Sequence, residues 1–535
     1  MQKQCNANEA LALGAISAGV SLTTGYPGTP GTDVMDILID YASNYDIYVE
    51  WSTNERVALE VAIGASIAGK RSLVCTKSVG MNVMLDPLMC LNLTGVHAGL
   101  VILLGDDPGA YGSQNDQDTR NIAHLVEIPV LEPTSVADGY AMMRNAFELS
   151  ERFNTAIIIR ITRSFSQQID EIHLDEQVSA KTSLNLARDK FRFVPYPGNA
   201  VEMHRKLHDR LKSFQSWAEN AGYNTVVGSG KKGILAVGFV YNKLVDVLGE
   251  SNGDDLKILN LGCLYPLPKR LIAQFLDGCE KILVLEEIDP YIENQLKAIA
   301  FEQGFGGSIR GKLTGDVSWE GELFRWQIIH ALETFIPDFK PGRSYLAINE
   351  ISERPIKKNH CAAYPYEDVL DLVKTVAYDL RIQPFIIADP GCMVKVADQL
   401  DAKYAIGSAV AVASGIDKAG TDEKIIAFFG DSAFFHSAIP AICNASYNQS
   451  DMLIILLDNN GAASTGLQPT PGVGSDAFGN PAPKLDIPEI ARACGVEFVQ
   501  RISANLSEIE RREVIREGIN FDGLAMIMIE VRFEE

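Results

Sequence analysis

The sequence predicts an α/β protein with three units of mostly parallel sheet flanked by helices. Short apolar runs of strand length alternate with longer helix-like segments along the chain, the pattern of strand–helix–strand crossovers. Two polar or mixed, proline-bearing stretches separate the units. The chain has 535 residues, 47% of them hydrophobic, which allows several domains with sizeable cores.

In the first unit, residues 1–180, EALALGAISAG at 9–19 and ERVALEVAIGASIA at 55–68 read as helices. SLVCT at 72–76, GLVILLGDD at 99–107 and TAIIIRIT at 155–162 read as strands. Residues 181–230 are polar and charged, a connector with one helix over 200–219. The second unit, 231–316, has strands GILAVGF at 233–239, LKILNLG at 256–262 and KILVLEE at 281–287. Residues 317–365, with Pro337, Pro341 and Pro355, read as a linker carrying a helix over 323–334. The third unit, 366–535, has strands PFIIAD at 384–389, KIIAFFGD at 424–431 and MLIILLDN at 452–459, and AMIMIEVRF is the last strand. There is no short-period repeat.

The net charge is −22, which argues against nucleic acid or an anionic membrane as the main partner. The first residues are polar, without an apolar signal core, and no run approaches the roughly 18 apolar residues of a membrane span. These features predict a soluble cytoplasmic protein. The nine cysteines, at 5, 75, 90, 263, 279, 361, 392, 443 and 494, form no Cys-x-x-Cys pair. Disulfide frameworks, zinc ribbons and ferredoxin-type clusters lack their spacing. Most of the thiols are expected to be small buried residues in a reducing compartment.

In open parallel sheets, ligands bind beyond the carboxyl ends of strands. Gly430-Asp431 and Asp458-Asn459-Asn460 fall at two such ends. The 26 residues from 433 to 458 suffice for a right-handed crossover, which sends both side chains out on one sheet edge. Asp431 and Asn459, with the Gly461 carbonyl, make a partial oxygen cage that suits Mg²⁺ sharing its shell with phosphate. Gly430 lets a diphosphate approach the backbone, and the helix starting after Ser432 turns free N–H groups toward it. The plainer alternative is a helix cap at Asp431 and a turn at 459–461. This spacing resembles the diphosphate-anchoring motif of thiamine diphosphate enzymes. Such a site also needs a carboxyl group for the aminopyrimidine ring, and Glu55, at the first turn of an apolar helix after YVEW, is the candidate. Glu60 lies about 140° round that helix. A Glu at a helix start is otherwise a favourable solvated charge.

Over most of its length the chain resembles the large subunit of indolepyruvate:ferredoxin oxidoreductases, thiamine-dependent 2-oxoacid:ferredoxin oxidoreductases. The resemblance lies in GYPGTPGTDVMDIL at 25–38, WSTNERVALEVAIGASIAGKRSLVCTKSVGMNV at 51–83, DDPGAYGSQNDQDTR at 106–120, CLYPLPKRLIAQF, VLEEIDPYIENQLK, GDSAFFHSAIPAICNA and LDNNGAASTGLQPTPG. It implies a thiamine-diphosphate-binding fold twice, pyrimidine-binding at 1–180 and diphosphate-binding at 366–535, with a transketolase-C-like domain at 231–316. It implies thiamine diphosphate and Mg²⁺ as cofactors, Glu55 as the catalytic acid, and Asp431, Asn459 and Gly461 as the metal site. Gly430, Ser432, Gly391 and Cys392 would lie at the cofactor, although Cys392 reads equally as a buried thiol. Thr29, Thr465 and Gln468 would face the substrate, with a turn hydroxyl as the alternative at Thr29. His436 faces the cofactor or packs in the core.

The sequence departs from the family where the latter carries a ferredoxin-like domain, and a single cysteine, at 361, stands where the family has Cys-Pro-x-Cys-Pro-His. Ser78, Leu467 and Thr470 replace family histidines. These departures predict no iron–sulfur cluster on this chain. The implied activity is decarboxylating oxidation of a 2-oxoacid, aromatic by resemblance, with electrons passed to a separate small oxidoreductase subunit or a ferredoxin. The two halves of the cofactor site lie in the first and third units, and because thiamine enzymes usually build the site across a subunit interface the resemblance implies a homodimer, with a monomer closing the site within one chain as the alternative. A non-oxidative decarboxylase or carboligase, and a non-catalytic assembly subunit, are the alternatives.

Overall fold

A computed structural model describes residues 2–175, 181–248, 255–342, 353, 361, 365–503 and 506–531. The expected boundary at 180 and much of the expected linker, including Pro355, lie outside the described residues. The chain divides into two compact units, Met1–Lys357 and Lys358–Glu535.

The first unit holds two large sheets. One runs Cys263–Tyr265, Val130–Leu131, Ile157–Thr162, Leu100–Asp106, Ser72–Lys77, Leu22–Gly25, Tyr48–Trp51. All its neighbours are parallel except at Cys263–Tyr265, which pairs antiparallel with Val130–Leu131. Its central strands are buried on both faces, as a parallel sheet covered by helices requires. The second sheet runs Ser308–Arg310, Lys281–Leu285, Lys232–Val237, Leu256–Leu261, with Asn224–Gly228 antiparallel at its edge. Apolar packing continues from Val74 and Ile102 of the first sheet to Val237, Leu259 and Val284 of the second. Two buried arginines in this interior are paired, since a lone buried charge is costly. Arg120 meets Asp118 at 2.6 Å and Glu286 at 2.8 Å, and Arg160 meets Asp106 at 2.7 Å and Glu132 at 2.5 Å.

The second unit is one six-stranded sheet, all parallel, in the order Ala402–Lys403, Phe385–Ala388, Ile425–Gly430, Met452–Asp458, Leu524–Glu530, Phe498–Ile502. Apolar clusters cover both faces, one around Ile426, Phe428 and Ile455, the other around Ala427, Phe429 and Ile454. The alternation of those numbers is the two-residue period of a strand buried on both sides.

The helices expected at 9–19, 55–68, 200–219 and 323–334 are Ala7–Ser17, Glu55–Ile67, Ala200–Ala218 and Arg325–Phe335. Several strands escaped the sequence reading, Leu22–Gly25, Val130–Leu131, Ser308–Arg310, Ala402–Lys403 and Phe498–Ile502 among them. Gln2–Asn6 pairs antiparallel with Ile169–His173, Asn224–Gly228 forms an edge strand where a connector was expected, and Cys263–Tyr265 joins the first sheet. The cysteine expectation is corrected: Cys361 and Cys392 form a disulfide, their Cα atoms 5.3 Å apart. Short-range spacing could not show this, because the fold joins cysteines 31 residues apart.

Candidate active site

Ile425–Gly430 and Met452–Asp458 are parallel neighbours, with Gly430 opposite Leu457. Asp431 and Asn459 therefore leave the sheet side by side. Asp431 starts a helical run of three parts: Asp431–Ala433, a π-helical turn Phe434–Ala438, and Ile439–Tyr447. Asp431 is 2% exposed and Asn459 9%. The Asp431 Oδ2 accepts the Gly461 N–H at 2.8 Å. Gly461 has φ +146°, and a Cβ there would lie 3.2 Å from the Gln468 carbonyl oxygen, so the chain can fold back only with glycine.

The Asn459 amide shows the character of this spot. Its inner atom lies 3.0 Å from Asp431 Oδ1 and 2.6 Å from the Gly461 carbonyl oxygen. Turned one way, the amide nitrogen donates to both and the amide oxygen accepts from the Tyr366 hydroxyl at 2.5 Å. Turned the other way, the nitrogen bonds Tyr366 and three oxygens face one another, an arrangement that a cation reconciles. The 3.0 Å separation matches an edge of an octahedron with metal–oxygen distances of about 2.1 Å, and the 2.6 Å one would widen on binding. Burial, with the neighbouring Asp458 charge, pushes the Asp431 carboxyl up to about 8, so its ionised form calls for a positive partner. The residues present thus fit a Mg²⁺ ion and the diphosphate it would accompany.

Around this edge, Gly430 and Ser432 are half-buried. Gly391, at φ +100°, turns the chain after the strand Phe385–Ala388, but the Cys392 sulfur is committed to the disulfide and offers no thiol. His436 is 4% exposed, lies in the π-helical turn, and has Nδ1 2.8 Å from Ser437 Oγ. π-Turns inside helices occur frequently at functional sites. Thr465 Oγ1 lies 2.7 Å from Gln468 Oε1, so these two side chains bond each other. Two residues of this edge were missed. Tyr366 holds the Asn459 amide, and buried Asp389 accepts the N–H groups of Gly407 at 2.6 Å and Ala409 at 2.8 Å. Burial pushes the Asp389 carboxyl up to about 7.

In the first unit, Glu55 opens the helix Glu55–Ile67 behind the cap Asn54, whose side chain accepts the Val57 N–H. Glu55 is 5% exposed, whereas Glu60 is exposed and pairs with Arg56 at 2.9 Å. A Cβ on Gly80 would stand 2.6 Å from Glu55 Oε1, so the bare glycine makes room for the carboxylate. Lys77, at the end of the strand Ser72–Lys77, is held below the usual lysine range by burial, which the charges of Asp107 and Glu55 oppose. Its Nζ donates to the Gly112 carbonyl at 3.1 Å. Thr29 is exposed in the 26–31 loop and precedes Pro30 through a cis peptide bond. A Cβ on Gly28 would lie 2.7 Å from the Lys77 side chain. The structure thus brings Glu55, Lys77 and the Thr29 loop together in one unit, and Asp431, Asn459 and Gly461 together in the other, with His436 in the helical run that Asp431 starts. Lys77 had a signal in the sequence, a lysine ending an otherwise apolar strand. A separate cleft of about 340 Å³ lined by Tyr111, Glu322, Phe324 and Trp326 contains none of the expected site residues.

Comparison with known proteins defines the class first. "Pyruvate flavodoxin/ferredoxin oxidoreductase, thiamine diP-bdg" matches residues 13–221, and "Thiamine pyrophosphate enzyme, C-terminal TPP binding domain" matches 400–529. Indolepyruvate oxidoreductase subunit IorA of Methanothermobacter marburgensis is 35% identical over 97% of this chain and 85% of its own length. The protein of the same name from Pyrococcus abyssi is 32% identical over 97% of this chain and 84% of its own. Among solved structures, 2-oxoglutarate:ferredoxin oxidoreductase from Magnetococcus marinus is similar at TM-score 0.48 and 17% identity, over 62% of this chain and 65% of that one. The chain belongs to the thiamine diphosphate-dependent 2-oxoacid:ferredoxin oxidoreductase family, with the IorA subunits among its relatives. Among the described residues, no helix is long and apolar enough to cross a membrane.

Proposed function

We propose that this chain is the catalytic subunit of a 2-oxoacid oxidoreductase, binding thiamine diphosphate through Mg²⁺ and passing electrons to a separate protein. The observation that carries the reading is that the Asp431 carboxylate, the Asn459 amide and the Gly461 carbonyl meet at the carboxyl ends of adjacent parallel strands. Asp431 supplies the negative charge of that metal site, and Asn459 and the Gly461 carbonyl complete the protein's share. Gly430, Ser432 and the backbone at Gly391 leave room and N–H groups for the diphosphate. When bound, thiamine diphosphate supplies a nucleophilic carbon and an electron sink for breaking the bond to a 2-oxoacid's carboxylate. Glu55 holds a proton for the aminopyrimidine nitrogen, a role that a buried carboxyl beside little water performs well. Lys77 lends positive charge near Glu55. His436 moves or holds a proton, and Thr29, Thr465 and Gln468 contact the substrate.

The names of the relatives favour an aromatic 2-oxoacid. The cysteine pattern supports a chain without an iron–sulfur cluster, so the electron acceptor is a partner subunit or ferredoxin. The division of the sequence supports a pyrimidine domain at 1–180, a transketolase-C-like domain at 231–316 and a diphosphate domain at 366–535. The acidic composition supports a cytoplasmic protein, and we take its assembly to be a homodimer. Thiamine diphosphate and magnesium assayed in the purified protein test the reading. One of each per chain supports it, and their absence after reconstitution overturns it.

A further inference from the structure

Away from the site above, three side chains from distant parts of the first unit meet on one spot. Glu127 Oε2 lies 2.8 Å from His204 Nε2, and Glu127 Oε1 lies 3.0 Å from His208 Nε2. The two rings stand 4.3 Å apart, centre to centre. All three donor atoms lie within 4.8 Å of one another.

The local structure explains the convergence. The helix Ala200–Ala218 buries Met203, Leu207, Leu211, Phe214 and Ala218, a stripe at helical spacing that fixes its rotation. His204 and His208, four residues apart, flank that stripe on one face and keep about half of their side-chain surface exposed. Glu127 follows the helix Thr119–Leu125 and takes φ +54°, a left-handed conformation uncommon outside glycine, asparagine and aspartate. Its N–H closes on the His124 carbonyl at 3.2 Å. The carboxylate is thereby aimed at both imidazoles, across 77 and 81 residues of sequence.

We propose that Glu127, His204 and His208 form a binding site for a divalent transition metal of the zinc class, clamping the helix Ala200–Ala218 to the end of Thr119–Leu125. Two imidazole nitrogens and one carboxylate oxygen are the donors that Zn²⁺ takes, with water in a fourth position. Mg²⁺ and Ca²⁺, which favour oxygen throughout, are disfavoured. A tetrahedral ion with ligand distances of about 2.0–2.1 Å needs donors about 3.3 Å apart. Opening the two Glu127 contacts by a few tenths of an ångström, and bringing the two imidazole nitrogens in from a separation of at most 4.8 Å, gives that spacing, which rotation of the half-exposed rings can supply. The metal then takes the place of the proton that joins each ring nitrogen to the carboxylate, and that proton moves to the ring's other nitrogen or leaves to water.

The test uses the full chain, stripped with a chelator and titrated with Zn²⁺ against a chromophoric zinc indicator. The wild type should bind one zinc ion tightly. In the double variant His204→Gln/His208→Gln that ion should bind at least about 100-fold more weakly, and Glu127→Gln should weaken it as well. Both histidines are half-exposed, and an unchanged circular dichroism spectrum confirms that the variants fold. Amide hydrogen exchange supplies an independent readout: zinc should slow exchange in 200–211 and 120–127 of the wild type and not of the double variant. Equal zinc affinity in the wild type and the double variant, or no such ion on the wild type at micromolar zinc, would overturn the proposal.

Discussion

Gly80→Ala tests whether the position of the Glu55 carboxylate matters to the chemistry. An ideal Cβ at residue 80 would lie 2.3 Å from Thr76 Oγ1, 2.6 Å from Glu55 Cγ and 2.6 Å from Glu55 Oε1. Unstrained contacts need about 3.5 Å, so the Glu55 side chain must retreat by about 1 Å. Overpacking of this kind costs about 1–3 kcal/mol, and a catalytic group displaced by about 1 Å can lose about 100-fold in rate. The assay is exchange of the C2 proton of bound thiamine diphosphate for deuterium, followed by NMR, with thermal unfolding of the same samples. Gly64, on the helix that Glu55 opens, provides the control because a Cβ there meets nothing within 4 Å. Gly64→Ala should leave exchange unchanged and stabilise by about 0.4–1 kcal/mol. An unchanged exchange rate in Gly80→Ala would refute the role given to Glu55.

Glu55→Gln should bind the cofactor and slow C2 exchange by orders of magnitude, because an amide cannot share its proton as a carboxyl does. Glu60→Gln, on the exposed face, should exchange normally, and a slow Glu60 variant would move the site elsewhere. Asp431→Asn removes the charged group from the oxygen cluster. Calorimetry should show thiamine diphosphate binding at least about 100-fold more weakly in Mg²⁺, and undiminished affinity would reject the metal assignment. Cys392→Ser opens a loop of about 32 residues, for which the chain-entropy relation gives a loss of about 3–4 kcal/mol. The melting temperature of the oxidised wild type should fall on adding a reductant and that of the variant should not. Equal responses would mean that the bridge does not form in solution.

The site was legible in the sequence wherever local pattern determines long-range position. KIIAFFGD and MLIILLDN are apolar enough to be buried on both faces, and a crossover of that length returns parallel. Asp431 and Asn459 therefore had to emerge together. Glu55 was legible as a charge opening an apolar helix, but its burial depends on Gly80, whose missing side chain leaves no sign in the sequence. Tyr366 touches Asn459 only after the sheet has formed. The same holds for Cys361 with Cys392 and for Glu127 with His204 and His208, where each partner is ordinary in its own neighbourhood. The strand Gln2–Asn6 is short and polar, and its partner Ile169–His173 is largely exposed, so neither has the apolar alternation that marks a half-buried strand. The π-helical turn at His436 is likewise invisible to helical periodicity, because the run on either side remains helical.

The most direct test of the proposed function is anaerobic turnover of an aromatic 2-oxoacid by the purified chain loaded with thiamine diphosphate and Mg²⁺, with a low-potential dye as acceptor. Carbon dioxide and reduced dye are counted together. Oxidative cleavage predicts two electrons delivered to the dye for each carbon dioxide released, and no release sustained without an acceptor. Steady carbon dioxide release with free aldehyde or a carboligation product, and an unreduced dye, would contradict the account.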